Sequence, residues 1–435
     1  MKKAAIHTLG CRVNQLESSI IHDKLLERGW NVVKFNEQAD VYIINTCTVT
    51  GKSDVTARYL IRKAKKTNPT AKIVVTGCYA QVSADELAAM PEVDLVIGNS
   101  EKLDFVELIT QEGFLEGKSG EVSVSDIMKE KEFKDSAVFS ASGRVRANIK
   151  IQDGCNHRCS YCIIPYARGN SRSSRLDDVI KHVEEVTERG YKEVILTGIH
   201  LGQWGLDFKP QSRLIDLLRR IEEVESLERY RLSSMNPNEL TDELVEFLAD
   251  SQKFCRHLHI SLQSADDYIL KSMNRRYTVA QYTDLINRLV EKIPFINIGS
   301  DIIVGFPGET DERFENTYRT LESLPIGYMH VFSYSERKGT PAVNLPDKID
   351  EAVKKERNAV LTNLAKKKSL NFREKMVGKE FKIVVENTRN RKTGLLKGIT
   401  DNFVSVQTKG GDELKNTLVS VQIISVDEEN TFGQL

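Results

Sequence analysis

The chain has 435 residues, 40% hydrophobic and 29% charged, and its 62 Lys and Arg balance 62 Asp and Glu. A zero net charge excludes recognition of a polyanion by a global field, so any nucleic-acid partner has to be met by a local patch. No stretch approaches the ~20 apolar residues of a membrane span, and the opening "MKKAAIHTLGC" lacks the apolar region of a signal peptide. A cytoplasmic protein without membrane contact is expected, with about three domains by length.

The first hundred residues alternate strand and helix. "KKAAIHTL", "DVYIINT", "AKIVVTG" and "DLVIG" read as strands, and "NQLESSIIHDKLLERG", "DVTARYLIRKAKK" and "SADELAAM" as helices between them. Short apolar runs separated by helical patterns predict an open parallel sheet. Cys11, Cys47 and Cys78 each follow one of these strands, in "TLGCRVN", "INTCTVT" and "VTGCYAQ". A parallel sheet puts strand ends on one edge, where ligands collect, so the three thiols are expected in one place. Residues 113–143 are polar and weakly patterned, and read as a linker.

A second alternating series starts at Arg144. "VRANIKI", "EVILTG", "YRLSS", "HLHISL", "INIGSDIIVG" and "YMHVFSY" are its strands, separated by helical segments such as "LDDVIKHVEEVTERG". Six units fit a partial (β/α)6 barrel better than a closed eight-unit one. A charged helix near 350–375 ends the series. The tail, with "KEFKIVVENT", "KTGLLKGIT", "FVSVQTK" and "LVSVQIISV", predicts a small antiparallel β-barrel of a kind that often binds nucleic acid. The expected fold class is α/β throughout the first two parts, with this barrel appended.

Seven cysteines, an odd number in a reducing compartment, argue for metal or catalysis rather than disulfides. Cys155, Cys159 and Cys162 lie in one loop with C-x3-C-x2-C spacing. A zinc knuckle would need His157 as a fourth ligand, from a position between two others in a tight loop. Thiolates also hold iron–sulfur clusters, which take four ligands. Three cysteines leave one iron open to a chelating molecule such as S-adenosylmethionine. For Cys11, Cys47 and Cys78 the alternatives are a zinc ion, a redox dithiol with a spare thiol, or a second cluster.

The loop, with Tyr161 before its last cysteine, resembles the radical S-adenosylmethionine enzymes. Two cysteine trios in this order resemble one family among them, the methylthiotransferases. "HTLGCRVNQLES", "INTCTVT", "VTGCYAQ", "KIQDGCNHRCSYCIIPYARGNSRSSR", "DIIVGFPGETDERF" and "VFSYSERKGTPA" carry that resemblance over nearly the whole chain. It implies two 4Fe–4S clusters, one on Cys155, Cys159 and Cys162 and one on Cys11, Cys47 and Cys78, with S-adenosyl-L-methionine as cofactor. It implies residues 1–115 as the α/β domain holding the auxiliary cluster, 141–372 as the radical barrel, and 373–435 as a TRAM-like RNA-binding barrel. The implied reaction turns a substrate C–H into C–S–CH3, with one cofactor molecule giving a methyl group and another the 5′-deoxyadenosyl radical. Family substrates are isopentenyladenosine in tRNA, threonylcarbamoyladenosine in tRNA, or an aspartate of a ribosomal protein. "CRVNQLES", "NTCTVT", "GIHLGQWG" and "YSERKGTPA" are most similar to the threonylcarbamoyladenosine branch. The implied partners are the tRNA anticodon stem-loop and an electron donor such as flavodoxin or ferredoxin, with the enzyme acting as a monomer. A zinc-holding, non-catalytic RNA-binding protein is the alternative from another class.

Further site residues are expected from position. Gly198, Ser233 and Gly305 follow strands where the cofactor would lie, and Tyr161, the motif's aromatic, is expected beside it; His200 and Gln203 share the loop of Gly198. Glu309 reads as a first-turn helix carboxylate, and Cys255, ahead of its strand, as structural. "HISLQSADD" departs from the family wording at Ser261 and Ala265. Arg12, Arg168 and Arg172 are candidates for a substrate carboxylate, which a guanidinium can hold in two parallel bonds. From 144 to 175, seven basic residues (144, 146, 150, 158, 168, 172 and 175) face one acid, Asp153, a local charge of +6 suited to RNA phosphates. Arg389, Arg391, Lys392, Lys397 and Phe403 are the tail's candidates for RNA contact.

Overall fold

Apolar runs without polar alternation make a sheet buried on both faces, and the N-terminal strands do this. A computed structural model describes residues 2–111, 114–116, 120–134 and 145–435. Strands β1 (Lys3–Thr8), β2 (Asn31–Val33), β3 (Val41–Thr46), β4 (Lys72–Gly77), β5 (Leu95–Ile97) and β6 (Glu121–Ser123) form a parallel sheet in the order β2-β1-β3-β4-β5-β6. Along β3, Val41 and Ile43 pack with Ile21 and Leu25 of helix α1 (Arg12–Glu27). Tyr42 and Ile44 pack on the opposite face with Ala57, Ile61 and Ala64 of α2 (Gly51–Thr67). The segment expected as a linker is partly structured: β6 pairs with β5 and extends the sheet. Residues 135–144, with Arg144, lie outside the described residues.

The chain divides into two compact units whose limits differ from the sequence order. The first contains Met1–Ser142 and also Gln152–Ser174 and Ser335–Val343. Within it β8 (Gln152–Asp153) and β9 (Arg172–Ser173) form a short antiparallel ribbon that closes the cysteine loop.

The second unit holds two three-stranded parallel sheets. One is β7 (Arg146–Lys150), β10 (Glu193–Thr197) and β11 (Arg229–Leu232); the other is β12 (His257–His259), β13 (Asn297–Val304) and β14 (Tyr328–Ser333). Parallel bridges Tyr230–Phe254 and Met235–Ile260 connect the β11 and β12 regions, so the six strands run in chain order as a partial barrel. Their helix-facing residues, among them Val194, Leu232, Leu258, Ile298 and Ile302, form one core with helix residues Val183, Leu217, Leu248 and Leu285.

The tail is a closed barrel of β15 (Glu380–Val385), β16 (Leu396–Thr400), β17 (Ser405–Thr408), β19 (Thr431–Gln434) and β18 (Leu418–Val426), in that order. Closure needs a fifth strand, β19, which pairs parallel with β17, so the barrel is not wholly antiparallel. A buried ionic clamp holds it to the strands within the unit. Glu193 accepts from Arg229 at 2.8 Å and Arg231 at 3.0 Å. The same guanidiniums donate onward to the carbonyls of Lys382, Ile399, Thr400 and Asp401. Burial pushes the Glu193 carboxyl up, but the arginines outweigh it and hold it at about 2. Phe403, expected to stack on RNA, instead lies 4.5 Å from the His257 ring with the Arg231 guanidinium 5.0 Å from its centroid. Its ring is part of this clamp.

Candidate active site

In the first unit, adjacency of β1, β3 and β4 decides where the first three cysteines go. Cys11 caps α1 after β1, Cys47 follows β3, and Cys78 opens the short helix α3 (Cys78–Val82) directly after β4. Register pairs Thr8 with Asn45 and Thr46 with Gly77, so the three strand ends are level. The thiols feel one another. Burial and then the charge of Cys78 push Cys47 up to about 11. Gly10, at φ +95°, makes room for them: a Cβ there would sit 2.7 Å from the Cys47 Cβ and 2.9 Å from its Sγ. Asn14 ties two of the loops by donating to Leu9 O at 2.8 Å and Thr46 O at 2.9 Å. Sequence reading missed Asn14; its one signal was a poor helix former two residues inside α1.

The second trio sits in the Gln152–Ser174 loop of the same unit. Backbone bonds from Cys155 N to Gly169 O (3.0 Å) and from Cys162 N to Cys159 O (3.0 Å) set its shape. Arg158 donates to Cys155 O at 2.7 Å and to Asn170 at 2.8 Å. Cys159 is buried, while Cys155, Tyr161 and Cys162 are half-buried.

The expected substrate cations fare unequally. Arg168 is 1% exposed. Its guanidinium reaches Glu17 through both terminal nitrogens and also donates to Asn14; Lys102, equally buried, donates to Glu17 at 2.6 Å. Arg172 is buried too, donating to the carbonyls of Asn170 (2.9 Å) and Arg168 (3.1 Å). Neither leaves a face for a substrate carboxylate, because each replaces lost hydration with partners inside the unit. The basic run is therefore not a solvated face: of its described members only Arg158 and Arg175 are exposed. Arg168→Ala should break the buried Arg168–Glu17 pair, leave Glu17 with Lys102 alone, and cost ~3–5 kcal/mol. A urea midpoint at the wild-type value, with lost substrate preference, would return Arg168 to the substrate.

In the second unit, Gly198 follows β10 and Ser233 follows β11. The Ser233 hydroxyl oxygen is buried with no hydrogen-bond partner among the described residues, which suits a hydroxyl awaiting a polar ligand. Gly305 follows β13 at φ +72°, but the space a Cβ would take there is filled by Lys354 Cγ, 2.2 Å away. Its N–H donates to Glu309 at 2.7 Å, and Glu309 pairs with Arg357 at 2.7 Å. Glu309 is thus a buried brace rather than a solvated first-turn carboxylate. His200 is bonded to Glu239, and Asn236 bridges His200 to Arg275. Sequence reading missed Glu239 and Asn236, although "NPNE" is a capping-box pattern. Gln203 is buried. Ser261 donates to Asp301 at 3.2 Å, and Ala265 N donates to Thr317 Oγ1 at 3.2 Å. Cys255 is fully buried, its thiol pushed up to about 12 by burial.

Residues 149–321 match the radical SAM superfamily, and residues 3–98 match the uncharacterized protein family UPF0004. The chain is 41% identical over 95% of its length to threonylcarbamoyladenosine tRNA methylthiotransferase MtaB of Aquifex aeolicus (strain VF5), covering 98% of that protein. It is 39% identical over 100% of its length to MtaB of Bacillus subtilis (strain 168), covering 96% of it. The chain belongs to the radical SAM methylthiotransferases, in their MtaB-type branch. A tRNA-2-methylthio-N(6)-dimethylallyladenosine synthase of Clostridium tetani (strain Massachusetts / E88) is 33% identical over 96% of the chain, covering 93% of that protein. Among solved structures, the radical S-adenosylmethionine methyltransferase TsrM from Kitasatospora setae has a similar fold, with a TM-score of 0.56 at 16% identity over 79% of this chain and 77% of that one. Methylthiotransferases of the MtaB type are tRNA-modifying transferases that use S-adenosyl-L-methionine and 4Fe–4S clusters. Two trios of thiols, each one ligand short of a closed tetrahedral set, fit that requirement. No helix among the described residues is long and apolar enough to cross a membrane.

Proposed function

We propose that this methylthiotransferase acts on carbon 2 of N6-threonylcarbamoyladenosine beside the anticodon of tRNA, giving the 2-methylthio derivative. The observation that carries this reading is the 41% and 39% identity to two threonylcarbamoyladenosine enzymes, above the 33% shared both with a third such enzyme and with the dimethylallyladenosine one. Cys155, Cys159 and Cys162 hold the radical cluster, and Cys11, Cys47 and Cys78 hold the cluster that carries sulfur. When bound, the first supplies the electron that cleaves S-adenosyl-L-methionine. For cofactor contact, Tyr161 is the candidate in the first unit and Gly198 and Ser233 are those in the second, where the Ser233 hydroxyl, without a partner among the described residues, supports a polar contact. Gly305 keeps a supporting place, since its open side is taken by Lys354.

We assign residues 1–115, 141–372 and 373–435 to sulfur transfer, radical formation and RNA binding respectively. Of the tail's four candidate cations, Arg391 and Lys392 are the exposed ones. Arg389 is bound to Asp412, and Lys397 to Glu386 at 3.1 Å. On α2, Lys52, Tyr59, Arg62, Lys63 and Lys66 are exposed at helical spacing, which supports a second surface for an anionic stem. The enzyme acts as a monomer in the cytoplasm on an anticodon stem-loop, reduced by a donor such as flavodoxin or ferredoxin.

For the threonyl carboxylate our candidate is Arg12, by its place beside the first cysteine of the sulfur-holding trio. It is the first residue of α1, next to Cys11, and half-buried. Arg12→Ala should slow methylthiolation of threonylcarbamoyladenosine tRNA by ~1.5–3 kcal/mol, the worth of a charged hydrogen bond, at low and high salt alike. A defect that disappears at low salt would make Arg12 a phosphate contact instead.

A further inference from the structure

The segment Ser335–Val343, with sequence SERKGTPAV, belongs to the first unit although it is nearly 290 positions from the sheet it joins. Arg337 Nη2 donates to Asp54 Oδ2 at 2.6 Å and to Thr48 Oγ1, and Thr48 Oγ1 donates in turn to Asp54 Oδ1 at 2.8 Å. Thr48 follows Cys47 and has no exposed surface. Ser335 Oγ accepts from Gly51 N at 3.0 Å, at the start of α2. Five residues after Arg337, Ala342 N donates to Ser160 O at 2.8 Å, and Ser160 follows Cys159. A turn keeps the two anchors together: Thr340 donates to Arg337 O through both its N–H (3.0 Å) and its hydroxyl (2.7 Å). One short strap therefore grips the residue after a cysteine in each trio.

We propose that Arg337 is a positioning residue, which fixes the Cys47 loop against the Cys159 loop so that the sulfur held by one trio meets the substrate radical made at the other. This rests on the reading of both trios as cluster ligands. A permanently charged guanidinium suits the task, because one terminal nitrogen, Nη2, donates to the hydroxyl and the carboxylate at once. The strap's bonds described above go to Thr48, Gly51, Asp54 and Ser160, and none of them is to a cysteine thiol. Its loss should leave radical formation running while transfer fails, because a misplacement of about 1 Å costs on the order of a hundredfold in rate.

The test uses reconstituted full-length Arg337→Ala and Arg337→Lys enzymes with tRNA substrate. For Arg337→Ala we expect wild-type iron, 5′-deoxyadenosine formation within about twofold, and methylthiolated nucleoside down on the order of tenfold to a hundredfold. Arg337→Lys should fall between. Amide exchange read by mass spectrometry should speed up in residues 48–54 and 156–162 and stay unchanged in β3. An unchanged ratio of 5′-deoxyadenosine to product in both variants would overturn the proposal, as would unchanged exchange in either loop. If wild-type protein held no iron, the cluster reading would fail, and the exchange measurement would still decide whether the strap couples the loops. Should Arg337→Ala lose iron, Arg337→Lys and Asp54→Asn carry the same ratio test, and wild-type coupling in both would overturn it.

Discussion

Cys159→Ala is expected to abolish 5′-deoxyadenosine formation while leaving the fold in place. Backbone bonds and the β8–β9 ribbon shape the loop. Replacing one buried Sγ by hydrogen therefore removes little packing. Chemically the change is decisive, because two thiolates cannot hold a cubane cluster that already lacks a fourth protein ligand. The effect should be complete within detection, with iron content falling by about half, from roughly eight to four per chain. Continued 5′-deoxyadenosine production by the folded, reduced variant would show that this loop does not carry the radical chemistry. Cys255→Ser is the matching control, since that thiol is enclosed in the other unit.

Cys47→Ala should separate two activities that the wild-type enzyme performs together. The radical trio is untouched, so 5′-deoxyadenosine should still form, but methylthiolated product should disappear with the cluster that holds sulfur. The same count of about four irons is expected, now from the other site. The fold should tolerate the change, because Asn14 and the strand register hold the Cys11 and Cys47 loops through the backbone. Loss of both activities in a folded variant that kept four irons would mean that the two sites do not act separately.

What was legible in the sequence follows from what short-range pattern encodes. β3 and β4 read clearly because a strand buried on both faces must be an apolar run. From parallel connectivity alone, three cysteines after three strands had to share an edge. The edge strands β2 and β6 and the closing strand β19 escaped notice. Each is only three or four residues long, and little in such a stretch distinguishes strand from turn. Side-chain roles set by distant partners were not legible at all. Arg168 looks like any cation of a basic loop until Glu17 and Lys102, far along the chain, are found around it. Phe403 looks like an exposed hairpin aromatic until His257 and Arg231 are seen to enclose it. Arg337 lay within a quoted motif, yet its function depends on a contact with Asp54 that spacing cannot reveal.

The central claim is that two open clusters on one chain put a methylthio group on threonylcarbamoyladenosine. The most direct test is nucleoside mass analysis after the reconstituted, reduced enzyme acts on two tRNAs, one carrying N6-threonylcarbamoyladenosine and one N6-isopentenyladenosine. A 2-methylthio product from the first and none from the second is the predicted result. Product from the isopentenyl tRNA alone would contradict the substrate assignment, and 5′-deoxyadenosine without a methylthio product from either tRNA would contradict the claim itself.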